Sequence, residues 1–186
     1  GGNISGTSDL APLDQQADML LELLPEAQNV GILYCSAEAN SVYQADVVKA
    51  ALEEKGVTVT VYTFADSNDV ATVTQTACAE NDALYIPTDN TAASCTEAIN
   101  NVAEPAGVPI VAGEEGICKG CGIATLSIDY YELGKTTGAM AAKILTGEAN
   151  VSEMPIEYYQ NPVKKYDVAR CEALGITVPA DYVAIG

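Results

Sequence analysis

Histidine is absent from the 186-residue chain. That removes the usual general base near neutral pH and the commonest nitrogen ligand of transition metals. A mixed His/Cys metal site and a His-assisted nucleophile are therefore excluded. Cations are scarce too: 8 Lys and Arg stand against 26 Asp and Glu, for a formal charge of -18. Such a chain repels phosphate backbones and anionic lipid, so nucleic acid is not expected as a partner. The acid is spread along the sequence rather than gathered in a tail, as in a solubilising surface. No apolar run approaches the roughly 20 residues that cross a bilayer as a helix. The start, Gly1-Gly2-Asn3, has neither the basic nor the apolar region of a signal peptide. A start on Gly-Gly looks like that of a trimmed chain and says little about natural location.

Among aromatics only tyrosine is plentiful, with 10 copies against a single Phe and no Trp. Tyr34, Tyr85, Tyr130 and Tyr131 fall at or beside expected strand ends, where a phenol can stack on a flat ligand and bond through its hydroxyl. Core packing is the commoner use of any one of them. Six cysteines stand at 35, 78, 95, 118, 121 and 171, and only Cys118 and Cys121 are close in sequence. A thioredoxin-type motif should open a helix, whereas this pair reads as part of a Gly-rich turn running into a strand. A plain thiol pair or local disulfide leads; half of a four-Cys zinc site and a thiol-exchange enzyme are the alternatives.

Residues 12–24 carry apolar side chains at 13, 17, 20, 21 and 24, a helical period closed by Pro25. An alternation follows: strand Val30 to Tyr34, helix Ser41 to Lys55, strand Val57 to Phe64, helix Asn68 to Glu80, strand Ala83 to Ile86, helix Ala92 to Ala106, strand Val108 to Ala112. Parallel neighbours need long connections, so this pattern predicts βαβ crossovers and a doubly wound parallel sheet of class α/β. Right-handed crossovers put the strands in the order 2-1-3-4. Beyond Gly122 come a strand Ile123 to Ile128, a helix Tyr131 to Leu145, a strand Ile156 to Gln160 and a short helix Tyr166 to Leu174. That is too little sheet to bury its own helix, which predicts one complete lobe plus an incomplete second lobe.

Open α/β sheets bind ligands beyond the carboxyl ends of their strands, where the strand order reverses. Here the loops Cys35 to Asn40, Thr88 to Thr91 and Gly113 to Gly116 border that point. Asn40 and Ser41 at one helix start, and Thr88, Asp89 and Asn90 at another, are candidates to present caps and backbone N–H groups to a ligand carboxylate. Capping their own helices is the competing use. Asp89, Glu114 and Asp129 are candidates to pair with a ligand ammonium, against a role as solvated loop acids, and Tyr130 joins them at the mouth. Lys119 is the one basic residue near this mouth, so a Ser or Cys nucleophile has no assembled base. No phosphate-cradling loop follows the first strand, and no cofactor is expected.

Taken in order, Ala83-Leu84-Tyr85-Ile86-Pro87-Thr88-Asp89-Asn90-Thr91, Gly113-Glu114-Glu115-Gly116 and Ile128-Asp129-Tyr130-Tyr131-Glu132-Leu133-Gly134 are one part of a likeness. Asn3 to Gly6, Ser36 to Ser41, Met140 to Gly147 and Leu174 to Pro179 are the rest. Together they resemble the ABC-transporter substrate-binding family whose members include tryptophan and tyrosine receptors. Each run is moderately specific, the ordered set highly so, and it covers almost the whole chain.

The resemblance implies a type 1 periplasmic-binding-protein fold, two α/β lobes joined by three crossing strands and closing on a ligand. It implies a binding protein and not an enzyme: the solute-binding component of an ABC importer, with a membrane permease as partner. The implied ligand is a small zwitterion, an aromatic amino acid among the candidates. The implied location is extracellular or periplasmic, with a lipidated amino-terminal anchor absent from this chain. A ligand-sensing regulatory module of the same fold is the alternative. On this reading residues 1–11 are the first crossing, 12–117 the complete lobe, and 118–186 the return crossing and partial second lobe, most of which lies outside the chain. The apolar side of the 131–145 helix and the strand 156–160 should then expose a surface that self-association or segment exchange covers, or that rearranges.

Overall fold

The computed structural model describes residues 2–185. In chain order its elements begin with β1 (Thr7–Ser8), α1 (Leu13–Leu23), β2 (Asn29–Cys35), α2 (Ala39–Glu54), β3 (Thr58–Phe64), α3 (Val70–Glu80) and β4 (Ala83–Ile86). Next come α4 (Asn90–Ser94), α5 (Thr96–Ala106), β5 (Ile110–Ala112), α6 (Glu115–Cys121) and β6 (Ala124–Ser127). The last are α7 (Tyr130–Leu145), β7 (Glu157–Tyr158), β8 (Val163–Tyr166), α8 (Val168–Leu174) and β9 (Val183–Ala184). They fall into two compact units, Pro12–Ser127 with the chain from Val163 onward, and Ile128–Pro162 with the residues up to Ala11.

The larger unit is built on a 7-stranded sheet ordered β3-β2-β4-β5-β6-β8-β9. Its first four strands are parallel and stand in the expected 2-1-3-4 order. Strands β4, β5 and β6 are buried along their whole length, because helices cover both faces of the sheet. Successive strand residues point to opposite faces. Leu84 and Ile86 join the core beneath α3, α5 and α6, while Tyr85 between them reaches Gln16 of α1.

Several elements depart from the sequence reading. The helix expected over 92–106 is two, α4 and α5, broken at Cys95. The Cys118–Cys121 pair lies in α6 rather than in a turn, because the Glu114 side chain caps that helix through the Gly116 and Ile117 amides. The strand expected over 156–160 shortens to Glu157–Tyr158. Val163–Tyr166 is an unexpected strand, so the helix expected from Tyr166 starts only at Val168: β8 pairs antiparallel with β6 and brings the tail onto the larger unit's sheet. Ion pairs Lys165–Glu115 (2.6 Å) and Lys164–Glu22 (2.7 Å) accompany that pairing.

The smaller unit contains β1 and β7 as a two-stranded parallel sheet, and α7. Helix α7 buries only Leu133 and Met140. Ile4 and Leu145 are each 86% exposed, and Tyr131, Ile156 and Tyr158 are exposed as well, the apolar surface the sequence leads one to expect. Among the described residues no helix is long and apolar enough to cross a membrane.

Candidate functional site

The carboxyl ends of β2, β4 and β5 bring three loops together in the larger unit, and Asp89 lies among them with 1% of its surface exposed. Its Oδ2 accepts the Cys35 amide hydrogen at 2.8 Å and the Ser41 hydroxyl at 2.7 Å. Its Oδ1 accepts the Ala92 amide hydrogen at 2.7 Å and so caps α4. One carboxylate thus joins the end of β2, the first turn of α2 and the start of α4. A buried charge needs such donors, and here both oxygens have them.

Thr88 is the second junction. Its carbonyl accepts from Asn40 Nδ2 at 2.9 Å and Gln44 Nε2 at 3.1 Å, with Ser41 Oγ, whose proton goes to Asp89, 3.4 Å away. Its amide donates to Gln44 Oε1 at 3.1 Å, and its hydroxyl to the Gly113 carbonyl at 3.4 Å. The same carbonyl of Gly113 accepts from Gln16 Nε2 at 3.2 Å, and Gln16 Oε1 in turn accepts from the buried Tyr85 hydroxyl. Gly113 has no substitute here, since a Cβ would lie 2.6 Å from the Thr88 nitrogen and 2.8 Å from the Pro87 carbonyl carbon.

The carboxylates of this mouth sit on helix starts. Glu38 accepts from the Asn90 amide (2.9 Å) and Nδ2 (3.0 Å), and from the Thr91 amide and hydroxyl (both 2.8 Å). Burial works to raise its carboxyl, but these hydrogen bonds from Asn90 and Thr91 outweigh it and leave the group below its ordinary value. Glu114 caps α6. Glu115 accepts from Lys119 and Lys165, whose hydrogen bonds hold its carboxyl down to about 2. Of the helices that start here, α4 and α6 have side-chain caps, and α2 has none. The α2 cap position is Glu38, whose carboxylate lies on α4 instead.

Asn40, Ser41, Thr88, Asp89, Asn90 and Glu114 are therefore brought into one cluster, with Asn40 and Asn90 exposed and Ser41 and Asp89 buried. Asp129 and Tyr130 belong to the smaller unit. There Asp129 caps α7 through the Tyr131 and Glu132 amides, at 2.9 and 3.1 Å, and the Tyr130 hydroxyl donates to Asp9 at 3.4 Å. Sequence reasoning missed Gln44, Glu38 and Gln16. Gln44 had a signal, its four-residue spacing from Asn40 on one helix face.

The six cysteines are free and buried. Burial pushes the Cys118 thiol up and that of Cys121 to about 12, so both are protonated at neutral pH, the opposite of a reactive thiol. The described residues contain no group of three or more Cys, Asp or Glu placed to hold a metal ion.

A mostly parallel sheet covered by helices on both faces defines the doubly wound α/β class, in which ligands bind at polar loops beyond the carboxyl ends of the strands. Residues 1–184 match the model of the ABC transporter substrate binding protein family, and the chain belongs to that family. It is 32% identical over 156 residues to a tyrosine-binding protein of Clostridioides difficile (strain R20291), a match covering 84% of this chain and 45% of that protein. It is 30% identical to the solved ABC domain in complex with L-Trp from Streptococcus pneumonia, with a TM-score of 0.88 over 97% of this chain and 61% of that one. It is 32% identical to the ligand-free, open structure of a substrate binding protein with adhesive properties from Clostridium difficile. That match has a TM-score of 0.79 and covers 98% of this chain and 63% of the other. The chain spans less than two thirds of each of these relatives. Its fold is the expected type 1 periplasmic-binding-protein fold, and its family is one of binding proteins rather than enzymes.

Proposed function

We propose that the larger unit carries a recognition surface for a small zwitterion, an aromatic amino acid, in the solute-binding component of an ABC importer. The observation that carries this is the start of α2. It is a 16-residue helix whose N-terminus opens at the mouth without a side-chain cap, beside Asn40 and the Thr88 loop. Unpaired first-turn N–H groups and the positive end of the helix favour a carboxylate there. The neighbouring N-termini of α4 and α6 already hold Glu38, Asp89 and Glu114, so of these three helices α2 is the one left for a ligand. Those same carboxylates make the mouth negative, which favours a ligand that also carries an ammonium group. Asp89 contributes as a buried charge that orders the loops. Thr88, Asn90 and Glu114 line the mouth.

The tyrosine-binding relative and the structure with L-Trp support an aromatic amino acid as the ligand. Delivery to a membrane permease, from an extracellular position held by a lipidated amino terminus, is the working context that family membership supports. The exposed Leu145, Ile156 and Tyr158 are proposed to be covered by another chain, as in self-association; light scattering showing a stable monomer would count against that.

Calorimetric titration with L-tyrosine, L-tryptophan and their methyl esters tests the reading. Saturable binding of a free acid is expected, with the ester at least tenfold weaker, a difference of about 1.4 kcal/mol. Equal affinity for acid and ester removes α2 as the carboxylate anchor.

A further inference from the structure

We propose that Gln44 is the positioning residue of this site, acting on the ligand through the backbone of Thr88. The inference rests on the function proposed for that site. Gln44 lies one helical turn beyond Asn40 on α2 and is 5% exposed. Its carboxamide pairs with Thr88 in both directions, accepting from the amide and donating to the carbonyl, each at 3.1 Å. Nε2 also donates to the Asn40 carbonyl at 3.1 Å. These partners fix the orientation of the side-chain amide, because only the oxygen can face the Thr88 N–H and only the nitrogen can face two carbonyls.

The pairing falls where the sheet stops. Strands β2 and β4 are in register from Val30 opposite Ala83 to Ile32 opposite Tyr85, and Thr88 lies beyond that ladder. Gln44 therefore supplies for Thr88 what a neighbouring strand supplies inside the sheet, a donor and an acceptor set side by side. It also ties the first turn of α2, where the ligand carboxylate is proposed to sit, to the loop after β4. Asn40 is held from two sides by the same arrangement, through its own carbonyl to Gln44 and its Nδ2 to the Thr88 carbonyl. With the carboxamide gone, ligand binding would have to order both segments, and that cost appears as lost affinity.

Gln44 acts through Asn40 and Thr88 rather than by touching the ligand, so its loss falls more on the free acid, which uses the start of α2, than on the ester. The test compares L-tryptophan and L-tyrosine with their methyl esters by calorimetry, in the native protein and in Gln44→Met and Gln44→Glu. Methionine keeps the length without the hydrogen bonds, and an ionised glutamate keeps the acceptor but sets a charge against two carbonyls. The variants are expected to lose at least tenfold in affinity for the free acids and to narrow the acid-to-ester ratio, which a general loss of stability would not change. Variants with the native ratio overturn the inference and leave the proposed function standing. A native protein that binds neither acid overturns both. Should the variants not fold, amide hydrogen exchange of the native protein decides: Thr88 is expected to be protected as strongly as the β4 amides, and exchange at a free-loop rate overturns the inference.

Discussion

The Ser41 hydroxyl donates to Asp89 Oδ2 at 2.7 Å, and so ties the first turn of α2 to the loop after β4 inside the protein. Asp89→Asn would turn an amide nitrogen or a weaker acceptor toward the Cys35, Ser41 and Ala92 donors. A loss of about 2–3 kcal/mol in folding stability is expected, as for removing a charged acceptor from buried partners. Urea unfolding measures it, and an unchanged midpoint would show that the buried carboxylate does not organise these loops.

Gly113 and Gly134 should respond oppositely to alanine. At Gly113 the added Cβ meets the backbone of Pro87 and Thr88, whereas at Gly134, on exposed α7, nothing lies within 4 Å. Gly113→Ala is expected to cost about 1–3 kcal/mol by overpacking. Gly134→Ala is expected to gain about 0.5–1 kcal/mol from helix propensity and a stiffer unfolded chain. Thermal unfolding of both variants checks the pair, and like-signed shifts would contradict the packing described.

Glu115 makes stability depend on acid. Its carboxyl is held at about 2, against an ordinary value of 4.5, by hydrogen bonds from Lys119 and Lys165. A depressed carboxyl gives stability that is fully present above the ordinary value and is lost as pH falls from there toward 2. Its side chain is 29% exposed, which limits the effect. Glu115→Gln should cost about 1 kcal/mol at neutral pH and flatten that part of the curve. Unfolding midpoints measured across the acid range test it, and parallel curves for native and variant protein would remove the role assigned to the two lysines.

The cysteines should be silent in the native state. All six are buried, and burial holds the thiols of Cys118 and Cys121 protonated. A thiol-disulfide reagent is expected to label them slowly until urea is added, and then to count all six. Rapid native labelling at Cys118 or Cys121 would reopen thiol exchange as an activity.

Much of the fold was legible because βαβ units advertise themselves. Strands buried on both faces read as short apolar runs, helices as longer periodic ones, and the order β3-β2-β4-β5 follows from crossover handedness. Helix α6 was not legible, because seven residues containing two glycines and two cysteines have little periodicity, and its cap is a glutamate rather than a typical capping residue. Strand β8 was hidden by Lys164 and Lys165, which look like helix or loop residues until Glu22 and Glu115 are seen opposite them. In the candidate site, the clustering of Asn40, Thr88 and Asp89 was legible because position after a strand end is itself a signal. Glu38 could not, since its carboxylate reaches across 52 residues of sequence to Asn90, and only the folded sheet brings the two together.

The most direct test is a crystal structure of the protein grown with L-tryptophan. The amino acid is expected at the mouth of the larger unit, its carboxylate within hydrogen-bond distance of the Ala39 and Asn40 amides and Glu38 still on α4. A carboxylate bound elsewhere, or one that has displaced Glu38 from Asn90 and Thr91, would contradict that expectation.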